Sequence, residues 1–506
     1  MKIFDWSVKG ILSFTAVIIF LVLIFFPDLM SPEKPVIAYM AGTAILMAVW
    51  WMTEIIPLAV TALIPVALFP LLGIMNGKEV ASTYFNHIIF LFIGGFLIAL
   101  AMEKWNLHKR IALKLLLYVG VSPARLLLGF MGTSAFLSMW ISNTATTMMM
   151  IPILLAILYK MEEINPSESI ISMEKGLLLG IAYAASIGGM ATLIGTPPNL
   201  SFARIFKIYF PQAPDISFAQ WMLFAFPLSV IFLLITYGYL YYMFFRKSNV
   251  TINAGKEVIT DEYKKLGKIT YEEKWVLFLF ITLALLWLFR SDIKLGSEFV
   301  IPGWSRLFSH PKWITDGNVA IMIGILLFLI PAKNKKGFLM EWSNAERIPW
   351  GIILLFGGGF ALASGFKESG LSAYIGNALA GMQNLHPLLI LFMVVTVIIF
   401  LTELTSNTAT VETFLPVLAS MSLATHIHPL FLMIPATIAG SYAFMLPVAT
   451  PPNAIVFGSG KLKINDMVKA GFWLNWIGVI LLTLMAYFYL TVIFGINIYE
   501  LPGWTE

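Results

Sequence analysis

The chain has 506 residues, of which 59% are hydrophobic and 12% charged. A soluble domain carries about 25% charged residues, so this composition excludes a soluble globular protein and indicates repeated membrane crossings. The absence of cysteine excludes disulfides, thiolate metal sites and cysteine nucleophiles, and the net charge of +5 is no nucleic-acid signal, because the cations fall in short loops between apolar runs.

In chain order, residues 1–34 hold a lead-in and a first apolar run at 10–27. The run is long and no A-x-A cleavage site follows it, so it reads as a retained helix. Further spans are expected at 35–52, 55–72 and 85–102; Pro57, Pro65 and Pro70 predict a kink in the second of these. A charged loop (103–110) and an amphipathic stretch lead to residues 122–160. Here two apolar arms of about 15 residues flank Ser142-Asn143-Thr144. At about 1.5 Å per residue such an arm falls short of a bilayer core of about 30 Å, which predicts a re-entrant hairpin. A polar loop is expected at 160–175. The fifth span, 176–210, is interrupted at 195–199 (GTPPN), and the sixth covers 218–245.

Residues 246–274 form the longest hydrophilic stretch and read as a cytoplasmic linker. Beyond it come spans at 275–289 and 316–331, a ninth from Trp350, and a second hairpin at 386–424 around Ser406-Asn407-Thr408. A tenth span, 430–460, is interrupted at 449–453 (ATPPN), and the eleventh covers 469–495.

SNTAT at 142–146 returns at 406–410, and FIGGF at 92–96 returns as FGGGF at 356–360, both at an offset of 264; the Pro-Pro-Asn pair repeats at 254. One offset shared by unrelated residue types marks a duplicated unit. The units, 35–245 and 275–506 after the 246–274 linker, hold five spans each. An odd number turns the second copy upside down, so one hairpin enters from the cytoplasm and the other from outside, with tips meeting near the midplane. The fold expected is thus all-α and polytopic, with about 11 transmembrane helices and two re-entrant hairpins in inverted five-helix repeats. On this arrangement 23 of the 32 Lys and Arg lie on one side. That places the N-terminus in the cytoplasm and the C-terminus outside the plasma (inner) membrane.

Broken backbone persists in hydrocarbon only when buried in protein or lining a wet cavity, and paired breaks in two halves point to a shared site. Unwound carbonyls and Ser or Thr hydroxyls suit an alkali cation, whereas half-helix N-termini suit an anion. Each SNT motif with its break can therefore form one Na⁺ site, with an anion shared between them. Neither motif contains Lys or Arg. No H-E-x-x-H or G-x-S-x-G motif supports a membrane-embedded enzyme. Glu403 is balanced between supporting the hairpin and binding a guest, Glu54 reads as structural, and His426 and His428 read as a solvated hairpin end.

At these motifs the chain resembles the divalent anion/sodium symporter family. MTEIIPLAVTALIP (52–65), ALAMEKWNLHKRIAL (99–113) and SYAFMLPVATPPNAIVF (441–457) match as well, so the resemblance covers nearly the whole chain. It implies a homodimer whose subunits each pair a scaffold with a transport domain that moves as an elevator. It also implies Na⁺-coupled import of C4-dicarboxylates (succinate, fumarate, malate) or related di- and tricarboxylates. By the resemblance, one Na⁺ site uses Ser138, Ser142, Asn143 and backbone near Gly195, and the other uses Thr402, Thr405, Ser406, Asn407 and Ala449. The anion contacts Asn143, Thr144, Asn407 and Thr408, with Thr196 and Thr450 nearby. Glu412 departs from the repeat, since Met148 stands at the matching position of the first copy. It either touches the coupling ion as a buried charge or faces water at the hairpin mouth. The same fold also admits a Na⁺-independent exchanger, a proton-coupled carrier and a sulfate transporter.

Overall fold

The computed structural model describes residues 8–120, 122–164, 168–246, 254–295, 299–333 and 337–505. Lys2, Lys247, Lys335 and Lys336, which contribute to the charge asymmetry, lie outside the described residues. The fold is helical nearly throughout. Its one sheet among the described residues is a two-stranded hairpin that pairs Ile293 with Ile301. Eight helices among them are long and apolar enough to cross a membrane, and shorter apolar helices accompany them, including Asp316–Leu329 and Pro387–Thr402.

The repeat is visible in the helix boundaries. Pro123–Ser138 and Pro387–Thr402 both have 16 residues, both open on proline, and are offset by 264. At the same offset, Asn143–Ile164 and Asn407–Ala424 start one residue after the serine of each tip. The copies interlock: Pro197–Tyr209 packs on Asn407–Ala424, and Pro451–Gly458 packs on Asn143–Ile164. Each post-break helix thus leans on the hairpin of the other copy.

Several expectations change. The 55–72 span is broken rather than kinked, into Leu58–Thr61 and Ile64–Leu71. Pro57 caps the first piece and Pro65 opens the second, where the missing N–H does no harm. The interruptions lie before the Pro-Pro-Asn rather than on it. Residues 190–196 and 440–450 are unwound, and Pro197 and Pro451 begin the next helix, as proline does at a first turn. The polar 160–175 loop is mostly helical: Asn143–Ile164 runs into it and Glu168–Gly189 starts inside it. Its Lys, Met and Glu residues are good helix formers. The return arm of the first hairpin has 22 residues, so it is longer than the sequence suggested.

The described part of the 246–274 linker is packed as well. Its helix Ala254–Lys265 lies against Asn143–Ile164 and Leu107–Val119. Lys109 reaches Glu262 at 3.0 Å and Lys160 reaches Glu257 at 2.8 Å. Behind it, buried Arg110 donates to Glu273 at 2.6 Å and to the Gly267 carbonyl at 3.0 Å.

The glycines of the second copy form a seam on helix Trp350–Ser369. The Tyr84 ring lies on Gly357, Ala62 lies on Gly358, and the Glu412 carboxyl lies on Gly359. A Cβ on Gly358 would come within 2.7 Å of the Ala62 backbone, so three separate elements approach here only because side chains are absent.

Candidate functional site

Both hairpin tips and both breaks open on one cavity of about 820 Å³. Ser142, Asn143, Thr144, Gly195 and Thr196 line it from the first copy. Thr405, Ser406, Asn407, Thr408, Ala449 and Thr450 line it from the second. Four helix N-termini therefore converge on one space, at Asn143, Asn407, Pro197 and Pro451. Their unpaired N–H groups and dipoles favour negative charge between them.

Ser138 and Thr402 lie behind the cavity wall, fully buried, at matched positions. Ser138 donates to the Asn143 amide oxygen at 2.5 Å, and Thr402 donates to the Asn407 amide oxygen at 2.7 Å. Gly195 packs against the carbonyl oxygens of Ser138 and Gly189, and Asn143 packs its amide onto Gly189. Thr402 also donates to the Gly440 carbonyl at 3.0 Å. Each tip thus gathers hydroxyl, amide and carbonyl oxygens with no nitrogen or sulfur ligand, a donor set that fits a hard monovalent cation.

The remaining hydroxyls do different work. Ser142 accepts the Ala145 N–H at 3.1 Å and Thr450 accepts the Asn453 N–H at 3.2 Å, so each caps a helix that faces the cavity. The Thr405 hydroxyl bonds to the Leu401 carbonyl at 3.1 Å and to the Thr410 hydroxyl.

Of the groups that hold the breaks in shape, sequence reasoning singled out only Glu403, as a candidate support of the hairpin. Buried Asn199 donates to the Thr192 carbonyl at 2.7 Å, and buried Asn453 donates to the Ala443 and Leu446 carbonyls at 3.0 Å. The last residue of each Pro-Pro-Asn therefore ties down unwound backbone. Thr192 donates to the Met139 carbonyl at 2.6 Å and accepts from the Gly195 N–H at 3.1 Å, which staples the first break to the first tip. In the second copy Glu403 does this more strongly. Its carboxylate accepts the N–H groups of Phe444, Met445 and Leu446 at 2.7, 2.9 and 3.0 Å, and the Asn475 amide at 2.7 Å. Glu403 is a scaffold for the break and does not line the cavity. The signal for the two asparagines was their repetition at the 254 offset.

Glu54, read from sequence as structural, ends helix Pro35–Thr53 in the left-handed conformation, with φ 50°. It also lines the cavity, as does Lys9 from the first helix. Glu412 is fully buried, lines no part of the cavity, and accepts from Ser201 at 2.7 Å. The alternative in which it faces water is therefore wrong. His428 is also buried rather than solvated, and its Nδ1 accepts the Leu430 N–H at 3.3 Å. Among the described residues no cluster of His, Cys, Asp or Glu is arranged to hold a metal ion.

A many-helix membrane protein with broken helices around a cavity lined by helix ends belongs to the class of membrane transporters. The fold is that of solved transporter structures: MtrF of Neisseria gonorrhoeae (TM-score 0.58, 11% identity, 94% of each chain) and the YdaH transporter of Alcanivorax borkumensis (TM-score 0.53, 12% identity, 83% of this chain and 90% of that one). At such identity the likeness is one of fold alone. Residues 7–496 match the family model described as the sodium:sulfate symporter transmembrane region. The chain is 42% identical over 482 residues to a sodium-dependent dicarboxylate transporter of Staphylococcus saprophyticus, and 44% identical over 484 residues to that of Staphylococcus aureus. Each alignment covers 94% of this chain and 90% of the relative. The chain belongs to this family, the divalent anion/sodium symporters that its motifs resemble, and is a multi-pass membrane protein.

Proposed function

We propose that this chain imports C4-dicarboxylates across the plasma membrane, coupled to Na⁺. The observation that carries the reading is the convergence of both tips and both breaks on one cavity. The relatives' sodium-dependent dicarboxylate transport agrees with it. In this reading Ser138, Ser142, Asn143 and Gly195 hold one Na⁺. Thr402, Ser406, Asn407 and Ala449 hold the other, with the Thr405 hydroxyl contributing after rotation. The carboxylates lie between Asn143, Thr144, Asn407 and Thr408, against the helix starts at Thr196 and Thr450.

Charge bookkeeping supports cation coupling. Bringing a dianion against about 100 mV of inside-negative potential costs about 4.6 kcal/mol, a term that two Na⁺ cancel. A tenfold sodium gradient then contributes about 1.4 kcal/mol per ion to accumulation. We further infer that the hairpins are inverted repeats, that the tips and broken helices move as an elevator against the remaining helices, and that the protein is a homodimer. The Lys and Arg asymmetry supports an N-terminus inside. Because Lys9 and Glu54 line the cavity, the cavity then opens toward the cytoplasm.

Labelled succinate uptake into proteoliposomes, with and without an inward Na⁺ gradient, tests the reading. Uptake indifferent to sodium rejects symport in favour of exchange or proton coupling. Inhibition by excess sulfate matching that by excess fumarate would favour an inorganic oxyanion as the substrate.

A further inference from the structure

Glu412 has no role in the site described above, yet its surroundings are unusual. It is fully buried on helix Asn407–Ala424. One carboxyl oxygen accepts the Ser201 hydroxyl at 2.7 Å. The other is buried without a hydrogen-bond partner among the described residues and lies against Gly359 of the glycine seam. The Tyr84 ring packs on Gly357 of the same seam, and its hydroxyl is donated to the Ala62 carbonyl at 2.5 Å. Arg204, Lys207, Lys367, Glu368, Tyr374 and Tyr39 sit on helices that pack against this one, and none of them bonds or pairs with Glu412. Lys207 is held by Asp215 and Lys367 by the Ile208 carbonyl.

An ionised carboxylate with one bare oxygen and no counter-charge is costly in such a place. One carboxyl and one hydroxyl also supply too few oxygens for a sodium ion, whereas a proton needs only the bare oxygen. We propose that Glu412 is a proton-binding site, distinct from the two cation sites at the hairpin tips, and that a proton on it is required for this packing of the second hairpin against the glycine helix. The inference rests on the transporter reading, in which these helices slide past each other. Sliding brings the carboxyl off Gly359 and into contact with water. There it releases the proton, and it takes one up again on return. A pH rise therefore disfavours the packed arrangement, and a fall favours it.

The chain has no cysteine, so Val448→Cys, exposed and lining the cavity, supplies a single reporter thiol. Its maleimide labelling rate is measured against pH in two backgrounds, Glu412 and Glu412→Gln, so that the thiol's own titration cancels in the ratio. The expected ratio is near one at low pH and falls several-fold as pH rises, because the amide cannot ionise. A ratio independent of pH overturns the proposal. A second measurement keeps Glu412 in place: Ser201→Ala removes the one donor to the carboxyl among the described residues and makes the ionised form harder to bury. The fall in labelling must then set in at no higher pH and go at least as deep, and a shallower fall or one shifted to higher pH counts against the proton site. Sodium-driven succinate uptake is followed in the same vesicles. Loss of sodium dependence there would reject the symport reading, whereas a flat labelling ratio with intact symport rejects the proton site alone.

Discussion

Asn143 and Asn407 occupy equivalent points, each with its amide oxygen held by a buried hydroxyl and its backbone at the start of a helix facing the cavity. Removing either amide takes an oxygen from one proposed cation site and a donor from the anion. Asn143→Ala and Asn407→Ala should therefore abolish measurable uptake. Each should also weaken sodium-dependent thermal stabilisation of the purified protein by at least about tenfold in concentration, or about 1.4 kcal/mol. Normal transport by either variant would sink the assignment. Glu403 should behave differently. With three backbone N–H groups and an amide on one carboxylate, Glu403→Ala strands several buried donors and should cost about 3 kcal/mol or more of stability. It should lower the melting temperature whether or not sodium is present, and a variant as stable as the parent would show that the break holds its own shape.

At the scale of the element, the end of one helix fixes the tip of another. Helix Glu168–Gly189 ends where the Asn143 amide lies, and a Cβ on Gly189 would sit 2.5 Å from the amide oxygen and 3.0 Å from its nitrogen. Overpacking of this kind costs about 1–3 kcal/mol. Gly189→Ala should thus raise the sodium concentration for half-maximal uptake by about tenfold or more. Gly132→Ala, in the outgoing arm, meets nothing within 4 Å and should leave it unchanged. Equal effects of the two would reduce Gly189 to a helix-propensity position. This scale also shows what a sequence can tell. The hairpins and breaks were legible because polar residues at a fixed offset are costly in hydrocarbon and stand out. The exact unwound residues were not, because Pro-Pro ends one segment and begins the next equally well, and only the fold decides that Pro197 opens a helix. The linker helix Ala254–Lys265 was hidden because a charged helix held by Lys109 and Lys160 reads, without its partners, as a solvated loop. Glu412 stood out as a departure from the repeat, but nothing local to it announces Ser201 or Gly359, which lie far along the chain.

For the whole molecule, the two copies contribute one tip and one break each to a single cavity, so the number of bound cations and the charge moved per cycle are properties of the pair. Two Na⁺ with one dianion carry no net charge through the membrane. An imposed potential should then leave the initial rate of succinate uptake unchanged at saturating sodium, because a step that moves no charge gains nothing from the field. A third co-transported cation would change this: one elementary charge through about 100 mV is worth about 2.3 kcal/mol, enough to alter the driving force by about fifty-fold. The measurement is uptake into vesicles clamped by a potassium gradient and an ionophore, at zero and at inside-negative potential. The rate should also rise with the second power of sodium concentration, since the tips at Asn143 and Asn407 must both be filled before the anion's charge is balanced. A marked acceleration by inside-negative potential would show that the neutral pair of tips does not account for all the cations carried.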